Sequence, residues 1–162
     1  MKIVGIIGWK NVGKTYFAKN IIKNLRNRGC SVASVKHAHH EFDIDHQNTD
    51  SYAHREAGSS QVIVSSSKRW VKITELENNQ EKNLNELINQ LSETDIVIVE
   101  GYKNESHPKI EVVSENNDNY LYKNISNVIG LISDKKINCN LPQFKKNEIN
   151  LIVNFILNEI NE

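Results

Sequence analysis

Cysteine, arginine, charge of one sign and long apolar runs are all in short supply in this 162-residue chain. Cys30 and Cys139 are its two cysteines, far apart in sequence, which excludes a disulfide framework and a four-cysteine zinc site and points to a reducing cytosol. Twenty Lys and Arg offset twenty Asp and Glu, for a formal net charge of zero. Such a balance supplies no bulk pull toward nucleic acid or an anionic membrane. No apolar run approaches the length of a membrane span, and the N-terminus runs into a strand-like segment rather than a signal sequence. The expectation is a cytoplasmic protein with neither nucleic acid nor membrane as partner. Arginine is confined to Arg26, Arg28, Arg55 and Arg69. The first two close a helical segment, where cations suit the helix dipole. Arg55 and Arg69 can face anions, but they do not make the Arg-rich lid with which small-molecule kinases clamp a moving phosphoryl group.

What the chain does contain is Gly8-Trp9-Lys10-Asn11-Val12-Gly13-Lys14-Thr15, a complete phosphate-binding loop. The preceding run, Lys2-Ile3-Val4-Gly5-Ile6-Ile7, reads as a buried strand. After the loop, Phe17, Ala18, Ile21, Ile22 and Leu25 recur at helical spacing until Arg28-Gly29. Strand, Gly-rich turn and helix N-terminus together aim backbone N–H groups and a helix dipole at one anion. Lys14 is expected to reach the β- and γ-phosphates, and the Thr15 hydroxyl to bind magnesium. Gly8 and Gly13 allow the close approach of backbone to phosphate, and Asn11, Val12 and Tyr16 complete the nucleotide-lining stretch.

The rest of the chain reads as further α/β units. Ser31 to Val35 is a second strand, so strand, helix and strand imply a right-handed crossover and parallel pairing. A polar loop from His37 to Asn48 follows, then a short helix from Thr49-Asp50 to Ala57-Gly58. Gln61 to Ser65 and Trp70 to Thr74, separated by Ser66-Ser67-Lys68-Arg69, have the grammar of a hairpin. Glu75 to Lys82 is polar, and Leu84, Leu87, Ile88 and Leu91 mark an amphipathic helix. Asp95 to Gly101 is a buried strand ended by Glu100 and a glycine. Ile110 to Val113 and Val128 to Ile132 are further strands, residues 114–124 read as loop, and Ile149, Ile152, Val153, Ile156 and Ile160 stripe a C-terminal helix. The expected architecture is one domain over residues 1–162, a three-layer α/β fold of the P-loop NTPase kind with a mainly parallel sheet and a hairpin insertion at about residues 60–75.

In doubly wound sheets the carboxyl ends of the strands face the ligand crevice, so Glu100 and the phosphate loop should share it. Glu100 then holds magnesium from the side opposite Thr15 or orients the attacking water; the alternative is a solvated strand-end carboxylate. Five of the six histidines lie between His37 and His54, interleaved with Asp43, Asp45 and Asp50. Nothing in their spacing fixes a tetrahedral metal set. Asp43 and Asp45 are candidates for a further magnesium contact, and Lys36 and His37 for phosphate or substrate, against the alternative of a solvated loop. The guanine-reading N-K-x-D tetrapeptide does not occur. Asp134, after the strand Val128 to Ile132, can accept the two N–H groups of a guanine edge or serve as a plain turn residue. The apolar hairpin with Trp70 needs a surface to cover, either its own domain or a second subunit, and a homodimer contact is the expectation.

In order and spacing, the chain resembles the MobB family, the molybdopterin-guanine dinucleotide biosynthesis adaptor proteins. The resemblance rests on the strand-led phosphate loop and Val35-Lys36-His37-Ala38-His39-His40 with Asp43 and Asp45. It continues through Asp50-Ser51-Tyr52 leading to Arg55-Glu56-Ala57-Gly58, the Trp70 hairpin, Val99-Glu100-Gly101-Tyr102-Lys103 with Lys109-Ile110, and Ile132-Ser133-Asp134. It implies a dimeric GTP-binding protein with weak magnesium-dependent GTPase activity. Such a protein assists the guanylyltransferase MobA in making the guanine dinucleotide form of the molybdenum cofactor, and its dimer is built partly through hairpin strands. Asn11-Val12 departs from the smaller Gly or Ser with Thr frequent there, while Gly8, Gly13, Lys14 and Thr15 are intact. Two other readings of the residues stand beside this one: a non-catalytic adaptor gated by nucleotide, and a small-molecule kinase with His37, His39 or Asp43 near an acceptor hydroxyl.

Overall fold

The computed structural model describes residues 1–38, 42–76, 80–116 and 118–159. It divides into two compact units, Met1–His37 with Leu84–Glu162, and Ala38–Asn83.

The first unit is built on a six-stranded sheet. In chain order its strands are β1 (Lys2–Ile7), β2 (Val32–Lys36), β5 (Ile96–Glu100), β6 (Lys109–Val112), β7 (Val128–Ile132) and β8 (Gln143–Phe144). Across the sheet the order is β2-β5-β1-β6-β7-β8, and every pairing is parallel. Side chains alternate across a strand, and both faces here are covered, so the central strands are apolar throughout. Val4, Ile6, Ile96, Ile98, Ile110 and Val112 bury one face against Phe17, Ile21 and Leu25 of α1 (Lys14–Asn27) and Ile152, Val153 and Ile156 of α4 (Ile149–Glu159). Val97 and Val99 face the other way, onto Leu84 and Ile88 of the short α3 (Leu84–Ile88). These are the three layers read from the sequence. From β1 the chain crosses to β2 at one edge, whereas β6, β7 and β8 lie on the other side of β1. The direction of winding therefore reverses at β1, and the crevice outside its carboxyl end is where such sheets take ligands.

Three details differ from the sequence reading. β2 starts at Val32 because Ser31 gives its N–H and hydroxyl to the Asp95 carboxylate, at 2.6 and 2.7 Å. The two-residue β8 adds an edge that no periodicity could announce. Within the expected loop at 114–124, Leu121–Lys123 forms a 3-10 turn. Its cause is Glu111 on β6, whose buried carboxylate accepts the N–H groups of Leu121 and Tyr122 at 2.8 and 2.9 Å. Burial pushes the Glu111 carboxyl above the usual range, and those two hydrogen bonds oppose the shift. Lys109 is also fully buried on β6, its Nζ donating to the carbonyls of His107 and Ser126 at 2.6 and 3.1 Å. Ile160 of the expected C-terminal stripe lies outside the described residues.

The second unit holds α2 (Asp50–Glu56), capped by Thr49 as expected, whose side chain accepts the Tyr52 N–H at 3.2 Å. It also holds the hairpin of β3 (Gln61–Ser65) and β4 (Trp70–Thr74), paired antiparallel from Gln61 opposite Thr74 to Ser65 opposite Trp70. Val62 is buried, whereas Ile63 and Trp70 remain 63% and 68% exposed.

Candidate active site

The phosphate loop is shaped by local backbone geometry. At Gly8 a Cβ would stand 2.5 Å from the Val112 carbonyl oxygen, so only glycine lets the loop lie this close to β6. Asn11 has φ 63, in the left-handed region that asparagine visits more readily than most residues. Asparagine is therefore accommodated at this position of the loop. Gly13 caps α1, its carbonyl accepting the Phe17 N–H at 3.1 Å. Tyr16, in the first turn, is exposed and rests edge-on against Phe17 with ring centroids 5.3 Å apart.

Lys14 curls back over this loop, its Nζ donating to the carbonyls of Gly8 at 3.0 Å and Trp9 at 2.8 Å. Its ammonium therefore stands at the mouth of the loop, where terminal phosphates would meet it. Burial pulls its pKa below the ordinary lysine value; Glu100 opposes this, and Lys36 and Lys103 add to it. Three lysines thus converge with one carboxylate, an electrostatic arrangement that favours an anion.

Glu100 ends β5, and the parallel register sets it beside Lys36 at the end of β2. Its Oε1 accepts the Thr15 hydroxyl at 2.7 Å and lies 3.2 Å from the Lys36 ammonium, which is itself 3.3 Å from Thr15 Oγ1. A cation thus already stands against both oxygens. His37 donates its backbone N–H to the Glu100 carbonyl at 2.9 Å, and its ring lies on that of Tyr102 at 4.7 Å. Thr15, Lys36 and Glu100 are therefore brought together next to Lys14, with His37 bonded to the Glu100 backbone.

Asp43 and Asp45 have other partners within their own unit. Arg55 bonds Asp43 at 3.0 Å and Glu75 at 2.6 Å and lies 3.5 Å from Asp45. Asp45 further accepts the hydroxyls of Thr49 and Ser51, each at 2.9 Å. Hydrogen bonds hold both carboxyls below the ordinary range; for Asp43 the Asp45 backbone N–H leads and Arg55 follows. For Asp45 burial is the largest effect and opposes the shift, outweighed by Thr49, Ser51, the His46 N–H and Arg55 together. Among the described residues no three His, Cys, Asp or Glu side chains gather as a metal site; His39 and His40 lie outside those residues. Asp134 accepts the Lys146 backbone N–H at 3.0 Å. Trp9 and Lys103 have no role that sequence pattern assigns. The Trp9 indole N–H donates to the Asn119 carbonyl at 2.7 Å, and the Lys103 ammonium lies 5.2 Å from the centre of its ring. The available signal is position: one is inside the phosphate loop and the other is three residues past Glu100.

The sequence profile of the family described as "MobB: Molybdopterin guanine dinucleotide synthesis protein B" matches residues 3–134. The chain belongs to the MobB family. It is 30% identical over 159 residues to the "Molybdopterin-guanine dinucleotide biosynthesis adapter protein" of Escherichia coli (strain K12), covering 96% of this chain and 91% of that one. The protein of the same description from Haemophilus influenzae is 39% identical over 110 residues, covering 67% and 61%. The crystal structure of Bacillus subtilis MobB superposes with a TM-score of 0.78 at 25% identity, over 99% of this chain and 98% of that one. The three-layer P-loop architecture is thus the fold of MobB proteins. Among the described residues no helix is long and apolar enough to cross a membrane.

Proposed function

We propose that this MobB-family chain binds GTP with magnesium at its phosphate loop and hydrolyses it slowly. It serves as an adaptor to the guanylyltransferase MobA in forming the guanine dinucleotide form of the molybdenum cofactor. The observation that carries the nucleotide reading is the convergence of Thr15, Glu100 and Lys36 beside the Lys14-braced loop, with Thr15 Oγ1 and Glu100 Oε1 2.7 Å apart. The adaptor reading is supported by family membership and by the descriptions its relatives carry.

The donor set fits magnesium: two hard oxygens, one anionic, already placed against an ammonium. Bound magnesium would neutralise phosphate charge, held by Thr15 and Glu100. Lys36 then turns from Glu100 toward the phosphates, and the loop amides with Lys14 stabilise charge on the β- and γ-oxygens. Water attacks the γ-phosphorus, the bond to the β–γ bridging oxygen breaks, and GDP and inorganic phosphate leave. Asp134 is the candidate guanine acceptor, shared with Lys146 in this conformation. The exposed Ile63 and Trp70 support a homodimer through the hairpin.

Among the described residues, no glutamine or arginine contacts Lys14, Thr15, Lys36 or Glu100. Unaided turnover is therefore expected on the order of 10⁻² per second or slower. Phosphate release measured under saturating GTP and magnesium tests this. Turnover at the rate of an ordinary metabolic enzyme, without any partner, would contradict it.

A further inference from the structure

One cation at the mouth of the loop has no assigned work. Lys103 is exposed, and its ammonium lies over the face of Trp9. Trp9 is the second residue of the phosphate loop, and its carbonyl accepts from the Lys14 Nζ at 2.8 Å. The Trp9 backbone thus marks the end of the loop that Lys14 serves, the end facing the terminal phosphates. Lys103 is close enough to this point to act electrostatically on Lys14.

The turn that carries Lys103 is unusual. Gly101 and Tyr102 both have positive φ, 94° and 49°, and the second is costly for a residue with a large side chain. The turn is pinned at its base by the Gly101 N–H on the Ile6 carbonyl at 3.1 Å and by the Tyr102 ring on His37. These contacts fix where the turn leaves Glu100 and so where Lys103 is delivered. On one short turn the chain therefore presents a carboxylate facing Thr15 and, three residues later, an ammonium facing Trp9. An exposed cation–π contact is a weak resting place compared with a phosphate oxygen.

We infer that Lys103 is a γ-phosphate-binding residue: when a nucleoside triphosphate occupies the loop, its ammonium leaves the Trp9 ring for the γ-phosphate, so that Lys103 favours triphosphate over diphosphate and Trp9 reports the exchange. The inference rests on the nucleotide reading above. It assigns to lysine the terminal-phosphate contact that the scarce arginines do not supply.

The test uses the full chain carrying Trp70→Phe, which leaves Trp9 as the one indole. Its emission is titrated with a non-hydrolysable GTP analogue and with GDP, both with magnesium. The triphosphate should change Trp9 emission as it binds, and GDP should change it far less. Adding Lys103→Ala should weaken the triphosphate analogue roughly tenfold or more, measured by calorimetry, and leave GDP within about threefold. Lys103→Arg, which keeps the charge, should restore most of the loss. If the parent binds both nucleotides and Lys103→Ala weakens them equally or not at all, the inference is overturned alone. If the unmodified chain, titrated by calorimetry, binds neither nucleotide, the nucleotide reading falls and takes the inference with it.

Discussion

Lys14→Ala is expected to weaken GTP binding by about a hundredfold, or ~3 kcal/mol, and to remove measurable hydrolysis. In the structure this ammonium is held at the mouth of the loop by the carbonyls of Gly8 and Trp9, so little has to move when phosphate arrives. Burial already disfavours its charged form, and an anion placed against it relieves that penalty. Removing the side chain takes away a positioned charge and the brace on the loop. The fold should survive, because the core of the first unit is built from β1, β5, β6, α1 and α4 without Lys14. Thermal unfolding should therefore place the variant within a few degrees of the parent, while calorimetry loses the GTP signal. A variant that binds GTP normally would mean the loop is not the nucleotide site.

Glu100→Gln should separate magnesium from nucleotide. The glutamine oxygen can still accept the Thr15 hydroxyl, so local geometry is largely kept, but the charge that faces Lys36 is gone. Two effects of opposite sign follow. Without magnesium, GTP binding should strengthen, roughly severalfold, since a carboxylate no longer repels the phosphates and Lys36 no longer has to leave it. With magnesium, the metal should add little affinity, and hydrolysis should fall on the order of a hundredfold. Affinity measured with and without magnesium, beside single-turnover hydrolysis, checks both signs. Unchanged magnesium dependence would assign Glu100 to the solvated strand-end role instead.

The parts of this site legible in the sequence are those set by local pattern. The loop from Gly8 to Thr15 declares itself through residue types that its backbone requires. The apolar run of β5 with an acid at its end is enough to put Glu100 at the ligand crevice. Lys36 is legible only in part: the strand–helix–strand unit announces that β2 runs parallel to β1, but not that β5 lies between the two and sets Glu100 beside Lys36. What is not legible depends on contacts distant in sequence. Glu111 looks like any charged residue at a strand; its work, capping the Leu121–Lys123 turn, is visible only when the turn is seen above it. Lys109, a lysine inside a sheet, is explained only by two carbonyls from the loops at its end. Asp43 and Asp45 read as available ligands because sequence counts their charge and not their partners, and the structure supplies Arg55 as that partner. Lys103 is marked in the sequence only by its place three residues past Glu100, and its contact with Trp9 is visible only in the structure.

Occupation of the Gly8–Thr15 loop by nucleotide together with magnesium is the claim on which the rest depends. Calorimetric titration of the unmodified chain with GTP and with ATP, each with and without magnesium, is the most direct test. The expected result is one site per chain that prefers GTP and tightens when magnesium is present. Equal or tighter binding of ATP would contradict the guanine assignment, and no binding of either nucleotide would contradict the central claim.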